Sequence, residues 1–362
     1  MTRRTVLAAA PAVLAAQTSS KEFRVAYIGV GNRGGYTMRQ LMRVPGAKVV
    51  AVSDLDPERQ QKALDYVKEQ GGSAEGFPDY RKLLDRKDID AIVIATPVDT
   101  HKNIAIAALE SGKNVYLEKP VGLNPEECDI VEKASRSAKG ILQIGFQLRH
   151  DPNRAASMKF IREGGIGRVL YGHAMRHGGD LPRNTPWLFD KKRSGDIIVE
   201  QACHIIDLMV WAIGAAPVRA MGSGGISLYK DVPPGRSVMD NWSVIWEFPN
   251  DVRLNFSQIY FDPAGFSGIN ERVFGSKAAI DLAKATWGEV EKRGELQKLE
   301  VATEPGKTAD YYALESFVRD SIDKKKPLNN IETANLSTKV AVMGRMAIEQ
   351  KRIVTWKEVR GA

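Results

Sequence analysis

The stretch Gly29-Val30-Gly31-Asn32-Arg33-Gly34 constrains this chain more than any other, because it ends a β-branched run from Phe23 and leads straight into a helical pattern of Met38, Leu41 and Met42. Gly29 would permit a tight turn, Gly31 would let a phosphate approach the backbone, and Gly34 would let the helix pack on the strand. Such a turn is weak evidence alone, since it also occurs in α/β proteins without nucleotide. It gains force from Lys48 to Ser53, a second strand pattern ending at Asp54, 20 residues after Gly34. A carboxylate there can accept hydrogen bonds from both ribose hydroxyls of a dinucleotide and would repel a 2′-phosphate, so NAD is expected over NADP. Gly29, Gly31, Asn32, Arg33, Gly34 and Asp54 are therefore candidate cofactor residues.

The alternation continues with strand patterns at Ala91 to Ala95, Asn114 to Leu117 and Ile141 to Gly145, separated by helical patterns at Thr100 to Leu109 and Pro125 to Ser137. Strands alternating with helices imply α/β class and a doubly wound parallel sheet of the Rossmann type. Ligands of such sheets sit beyond the carboxyl ends of the strands, so Thr96, Pro97, Glu118, Lys119 and Gln147 should border the cofactor crevice.

At 362 residues, 43% hydrophobic and 27% charged, the chain is ordinary globular protein longer than one usual domain. The expected division is an export signal at 1–20, a nucleotide domain at 21–147, a substrate and oligomerisation domain at 148–330, and a closing helix and strand at 331–362. A formal charge of +8 without any basic run interleaved with aromatics argues against nucleic acid. Cys128 and Cys203 are too few for a disulfide framework or a zinc site. Arg3 and Arg4, a short Ala-rich stretch and small residues near Ala15 and Ala16 read as a cleavable signal of the twin-arginine type; the alternative is a frayed helix with two chance arginines. The apolar stretch is too short to span a bilayer, so no stable membrane anchor is expected in the mature form.

Beyond about residue 150 the alternation stops. A helix from Pro152 to about Glu163 is followed by strand candidates at Arg168 to His177, Val218 to Gly222, Ser243 to Phe248, Arg253 to Tyr260 and Glu271 to Gly275. Hairpin spacing around Pro249-Asn250-Asp251 suggests an α+β domain with a mostly antiparallel open sheet, and Gly222 to Arg236 reads as its longest loop. Ile197 to Gly214 reads as an apolar helix without Lys or Arg that carries Glu200, His204 and Asp207 on one face, a placement that suits buried groups directed at a site. A lone histidine there would more often be a packed core residue. His173 and His177 have helical metal-pair spacing, but in a strand they lie roughly 13 Å apart, so no metal is expected.

Gly29 to Gly34, Ala95-Thr96-Pro97 with His101, Gly112 to Val115, Glu118-Lys119-Pro120, Gly164 to Gly167 and His204 to Asp207 together resemble the Gfo/Idh/MocA family of NAD(P)-dependent oxidoreductases over nearly all of residues 23 to 357. The resemblance implies a sugar or polyol substrate, His204 as the catalytic histidine, and His101 in the cofactor region. It also implies a homo-oligomer formed through the open sheet face, and substrate contacts from the stretches holding Arg149, His150, Arg176 and Trp187, for which packing is an equal alternative. The family's aspartate four residues before the histidine is Glu200 here, which puts its reach in doubt. Oxidising a secondary hydroxyl needs a hydride acceptor, a base and a cation, roles expected of NAD, His204 and Lys119; for Lys119 an ion pair with a nearby carboxylate is the alternative. Export implies a retained cofactor, because free NAD is not replenished outside the cytoplasm. That admits a second reading, a redox-neutral NAD-dependent glycoside hydrolase, suggested by Val199-Glu200-Gln201 and Val342 to Met346, and a third, a non-catalytic NAD-binding sensor.

Overall fold

The computed structural model describes residues 22–361 apart from 180, 182–184, 264, 293 and 295, so the expected leader, with Arg3, Arg4, Ala15 and Ala16, lies outside the described residues. The first layer alternates β1 (Phe23–Ile28), α1 (Asn32–Leu41), β2 (Ala47–Ser53), α2 (Pro57–Glu69), β3 (Glu75–Phe77), α3 (Tyr80–Leu84), β4 (Ala91–Ile94), α4 (His101–Glu110), β5 (Asn114–Leu117), α5 (Pro125–Ser137) and β6 (Leu142–Ile144). Its six strands are all parallel, in the order β3-β2-β1-β4-β5-β6. Val25 to Ile28 and Ala91 to Ile94 are buried without interruption, the pattern of strands covered on both faces by helices.

The second layer contains α6 (Pro152–Arg162), β7 (Val169–His177), α7 (Lys191–Ser194), α8 (Ile197–Glu200), α9 (Cys203–Ile213), β8 (Arg219–Gly225), β9 (Asn241–Glu247), β10 (Arg253–Ile259), β11 (Gly268–Gly275), β12 (Ala278–Asp281), β13 (Thr286–Glu289), β14 (Gln297–Lys298), α10 (Ala309–Asp323), α11 (Ile331–Gln350) and β15 (Val354–Thr355). Nine strands form one sheet, ordered β14-β13-β12-β11-β7-β10-β9-β8-β15 and antiparallel except for the β7–β10 pair. Trp242, Val244 and Trp246 of β9, with Leu254 and Phe256 of β10, point inward to the helices, whereas Ser243 and Ile245 lie on the open face. The β9–β10 turn is the expected hairpin, with Asn250 and Asp251 at φ 60° and 59°, a left-handed backbone that their short polar side chains tolerate.

Two expectations need correction. Ile197 to Gly214 is not one helix: α8 ends at Glu200 and α9 begins at Cys203. The loop expected from Gly222 begins later, because β8 continues to Gly225, and Asp240 then pins the following chain by accepting from the N–H groups of Ser227, Leu228 and Tyr229.

The glycine turn is built as its spacing suggests. Gly29 has φ +83°, and a Cβ there would lie 2.7 Å from the Ala95 carbonyl oxygen, while one on Gly34 would lie 2.0 Å from that of Gly29. Gly31 is different, since its Cβ would meet only the Arg59 guanidinium, at 3.3 Å. Gly34→Ala is therefore expected to cost about 1–3 kcal/mol by overpacking, whereas Gly31→Ala should leave the denaturation midpoint nearly unchanged and weaken dinucleotide binding. Urea melts and nucleotide titration of both variants check this; equal melts would refute the different duties of the two glycines.

Candidate active site

The carboxyl ends of β1, β2, β4, β5 and β6 converge on one edge of the first sheet, and the glycine turn, Asp54, Thr96-Pro97, Lys119 and Gln147 all lie there. α1 opens at Gly31 with no side-chain cap and no acidic residue in its first turn. By contrast α2, α5, α6, α10 and α11 are each capped by an Asp, Asn or Thr side chain. Uncapped N–H groups at a helix start, approached over glycine, form a seat for pyrophosphate. Asp54 accepts from Val30 N at 2.8 Å and Asp56 N at 2.9 Å, which fixes its carboxylate beside the turn and leaves acceptor capacity for a ribose. These residues fit a dinucleotide.

Three candidate cofactor side chains are occupied differently from the expectation. Arg33 turns away from the helix start to Glu118 at 2.8 Å and Asp310 at 2.6 Å, which ties the glycine turn to the end of β5 and to α10. Glu118 is buried, and burial pushes its carboxyl pKa up despite the facing Arg33. His101 is buried with Nδ1 2.8 Å from the Pro120 carbonyl and Nε2 2.9 Å from that of Thr96, so it braces two crevice loops from behind rather than facing the crevice. Thr96 accepts from the Thr100 hydroxyl at 2.7 Å, and Asn32 is exposed at the first position of α1.

Lys119, at the end of β5, donates to the Glu200 carboxylate at 2.6 Å and to the Glu200 carbonyl at 2.7 Å. The α8–α9 break makes this possible by freeing that carbonyl, which also accepts from Cys203 Sγ at 3.3 Å. Glu200 thus faces Lys119 rather than reaching for His204, and the ion pair weighed as the alternative for Lys119 is present. Burial is the largest single influence and opposes the ammonium, but the charge and hydrogen bond of Glu200, with Cys203 and Glu118, together hold the Lys119 pKa above the ordinary lysine value. An ammonium has three donors and Glu200 takes two, so one remains for a ligand.

His204 lies in the first turn of α9, edge-on to Phe146 at 6.2 Å, with Nδ1 shielded and unpartnered among the described residues. Burial, then the Lys119 charge, then Arg33 and Arg176, hold its pKa well below the ordinary 6.5. It is a neutral imidazole at neutral pH, free to accept a proton. Asp207, expected to share a site-directed face with His204, points elsewhere. It is buried in a two-pronged pair with Arg149, both bonds 2.7 Å, and accepts from Ser337 at 2.7 Å. Arg149 is thereby removed from the substrate candidates and is a framework residue. Arg176 of β7 and Gln147 stay in place: Gln147 is half-buried with Oε1 unpartnered, and Arg176 lies within the electrostatic reach of His204 and Tyr260. Trp187 is half-buried in a short 3₁₀ turn, Pro186–Phe189.

Sequence reasoning missed one wall of the site. Gln201, in the α8–α9 break, accepts through Oε1 from Tyr260 and, at 3.1 Å, from Gln258 Nε2. The signal was present: Gln258 follows Leu254 and Phe256 at an inward position of β10, where a fully buried amide interrupts an apolar face.

Fold and site define a dinucleotide-binding oxidoreductase architecture, with a cation and a neutral base at the mouth of a Rossmann sheet. Residues 23–146 match the family model for the oxidoreductase family with NAD-binding Rossmann fold, and residues 155–281 match the Gfo/Idh/MocA C-terminal domain, more than half of the chain together. The chain belongs to the Gfo/Idh/MocA family. It is 32% identical over 206 residues to the scyllo-inositol 2-dehydrogenase (NAD(+)) of Bacillus subtilis, covering 57% of this chain and 58% of that protein. It is also 32% identical over 160 residues to a glycosyl hydrolase family 109 protein of Shewanella pealeana, covering 42% of this chain and 34% of that protein. The chain thus matches little more than half the length of its curated dehydrogenase relatives. Among solved structures, the myo-inositol 2-dehydrogenase of Lactobacillus plantarum superposes with a TM-score of 0.77 at 24% identity, covering 92% of this chain and 99% of that one, a likeness of fold.

The Arg149–Asp207 pair gives a direct test of its framework role. Asp207→Ala would leave a guanidinium buried and unpaired, at an expected cost of about 3–5 kcal/mol in unfolding free energy. Chemical denaturation measures it, and a loss below 1 kcal/mol would show the pair to be dispensable.

Proposed function

We propose that the protein is an NAD-dependent oxidoreductase acting on a secondary hydroxyl of a sugar or polyol. The observation that carries this reading is the conjunction at one mouth of a cation with a spare donor, Lys119, and a neutral unpartnered base, His204. The bound dinucleotide would supply hydride chemistry at its nicotinamide. Lys119 donates its free N–H to the reacting oxygen and stabilises developing alkoxide charge. Glu200 fixes the ammonium in position and keeps it charged. His204 takes the hydroxyl proton. Asp54 and the start of α1 hold the cofactor and favour NAD, which export would require to stay bound between turnovers.

The hydrolase reading has less support. The Val342 to Met346 stretch that suggested it has a packing explanation: a Cβ on Gly344 would lie 2.5 Å from the Trp246 ring, and Arg345 donates to the carbonyls of Gly195 and Leu123 at 3.0 and 3.1 Å. The open face of the large sheet, carrying Tyr171, Ile245 and Phe274, is the surface for a second copy of the chain, and the basic, Ala-rich first twenty residues are an export signal. Among the described residues no helix is long and apolar enough to cross a membrane.

His204→Ala should retain nucleotide and lose about 10²- to 10⁴-fold in turnover. In the unaltered protein, activity should fall with decreasing pH only below the ordinary histidine value of 6.5, because the site holds His204 neutral above its lowered pKa. Turnover of a polyol panel, followed by the absorbance of reduced nicotinamide, tests both; a fully active His204→Ala protein would remove His204 from the mechanism. Asp54→Ser should narrow the preference for NAD over NADP, and equal affinity for both cofactors in the unaltered protein would refute the role of Asp54.

A further inference from the structure

Among the described residues, each cation named here around the substrate side of the mouth faces a carboxylate, with one exception. Lys119 is matched by Glu200, Arg149 by Asp207, and Arg154 by Glu271 through bonds of 2.8 and 2.9 Å, while Arg33 faces Glu118 and Asp310. Burial keeps the Tyr260 phenol protonated. Arg176 has no carboxylate partner among the described residues, although it is half-buried. It sits two positions beyond Ala174 on β7, on the inward side of the sheet, directly opposite Gln258 of β10 and Ile269 of β11. Gln258 is fully buried, its Nε2 is committed to Gln201, and its Oε1 has no partner. Gln147 Oε1, from the other side of the mouth, is likewise shielded and unpartnered.

A half-buried guanidinium without an anion and two shielded amide oxygens without donors are costs that a ligand of matching chemistry removes. The oxygens call for hydroxyl groups and the guanidinium for an anion. A planar fork of N–H donors fits a carboxylate through two bonds, and a single negative charge balances a single cation, which a phosphate dianion would exceed. We infer that the substrate is a sugar or polyol bearing one carboxylate, of the hexuronic or aldonic acid type, gripped by Arg176 with its hydroxyls on Gln258 and Gln147. This inference rests on the proposed oxidoreductase function and specifies its substrate class; Arg176 is then the residue that sets specificity.

The test uses the full chain supplied with NAD and compares hexuronates and aldonates with neutral hexoses of the same configuration and with hexose monophosphates. The acids should exceed their neutral counterparts in kcat/KM by about tenfold or more, the worth of one charge-assisted hydrogen-bond pair. Arg176→Gln should collapse that ratio towards one, chiefly through KM, while Arg176→Lys, which keeps the charge and loses the fork, should retain part of it. Calorimetric titration of the acids into the NAD-loaded protein gives a readout independent of turnover and should show the same order of the three proteins. Neutral polyols turning over as well as the acids, with a ratio unmoved in Arg176→Gln, would overturn the carboxylate assignment and leave the oxidoreductase reading intact; so would a preference for the phosphates. Acids that bind through Arg176 but yield no reduced nicotinamide would uphold the anion site and defeat the oxidoreductase reading instead.

Discussion

The contact between Lys119 and Glu200 joins the two halves of the molecule at the point where chemistry would occur. One partner ends β5 of the parallel sheet and the other ends α8 of the second layer, with side chains 9% and 14% exposed. Removing two charges from water costs several kcal/mol per ion, and their attraction offsets this only where the geometry is good and the remaining donors are satisfied. Here the geometry is good but one ammonium donor is left over. Arg149–Asp207 and Arg154–Glu271 show the contrast, each a closed two-pronged pair. Those pairs suit the framework, whereas an unfinished one suits a group awaiting a substrate oxygen.

The break between α8 and α9 makes that arrangement possible. In a continuous helix Glu200, His204 and Asp207 would share a face, and all three side chains would compete for the same space. Ending α8 at Glu200 turns its carboxylate and carbonyl to Lys119, sets Gln201 against Tyr260 and Gln258, and places His204 in the first turn of a new helix. Asp207, one turn into α9, is then free to anchor Arg149 and Ser337. Three residues close in sequence meet three different surroundings, the Lys119 ammonium, the Phe146 ring and the Arg149 guanidinium, because the backbone between them changes course.

Much of this was legible in the sequence, for identifiable reasons. Buried parallel strands write themselves as continuous apolar runs, so β1, β2, β4, β5 and β6 could be placed within a few residues. β3, three residues with little burial, and β14, two exposed residues, carry no such pattern and escaped notice. Glycines constrained by backbone proximity were legible at Gly29 and Gly34, because close approach leaves no other residue type. The destinations of long side chains were not. Arg33, Arg149 and Glu200 were each identified as functional, yet which carboxylate or cation each would meet depends on elements distant in the chain: α10 for Arg33, α9 for Arg149 and β5 for Glu200. Spacing fixes the neighbours on one helix and says little about neighbours across the fold.

The position of Arg33 also limits how the glycine turn could hold a phosphate. An arginine at the start of α1 invites a direct ion pair with pyrophosphate, but two carboxylates already occupy its guanidinium, one of them the buried Glu118. Recruiting Arg33 to the phosphate would strand Glu118 in a site where burial already disfavours its charge. A pyrophosphate there would therefore be met by main-chain N–H groups and by the positive end of the helix dipole, which α1 leaves unopposed by having no side-chain cap and no acidic first turn. Donors held by the backbone cannot rotate away, and Arg33 contributes indirectly by locking the turn that presents them to the end of β5, next to the Lys119–Glu200 pair.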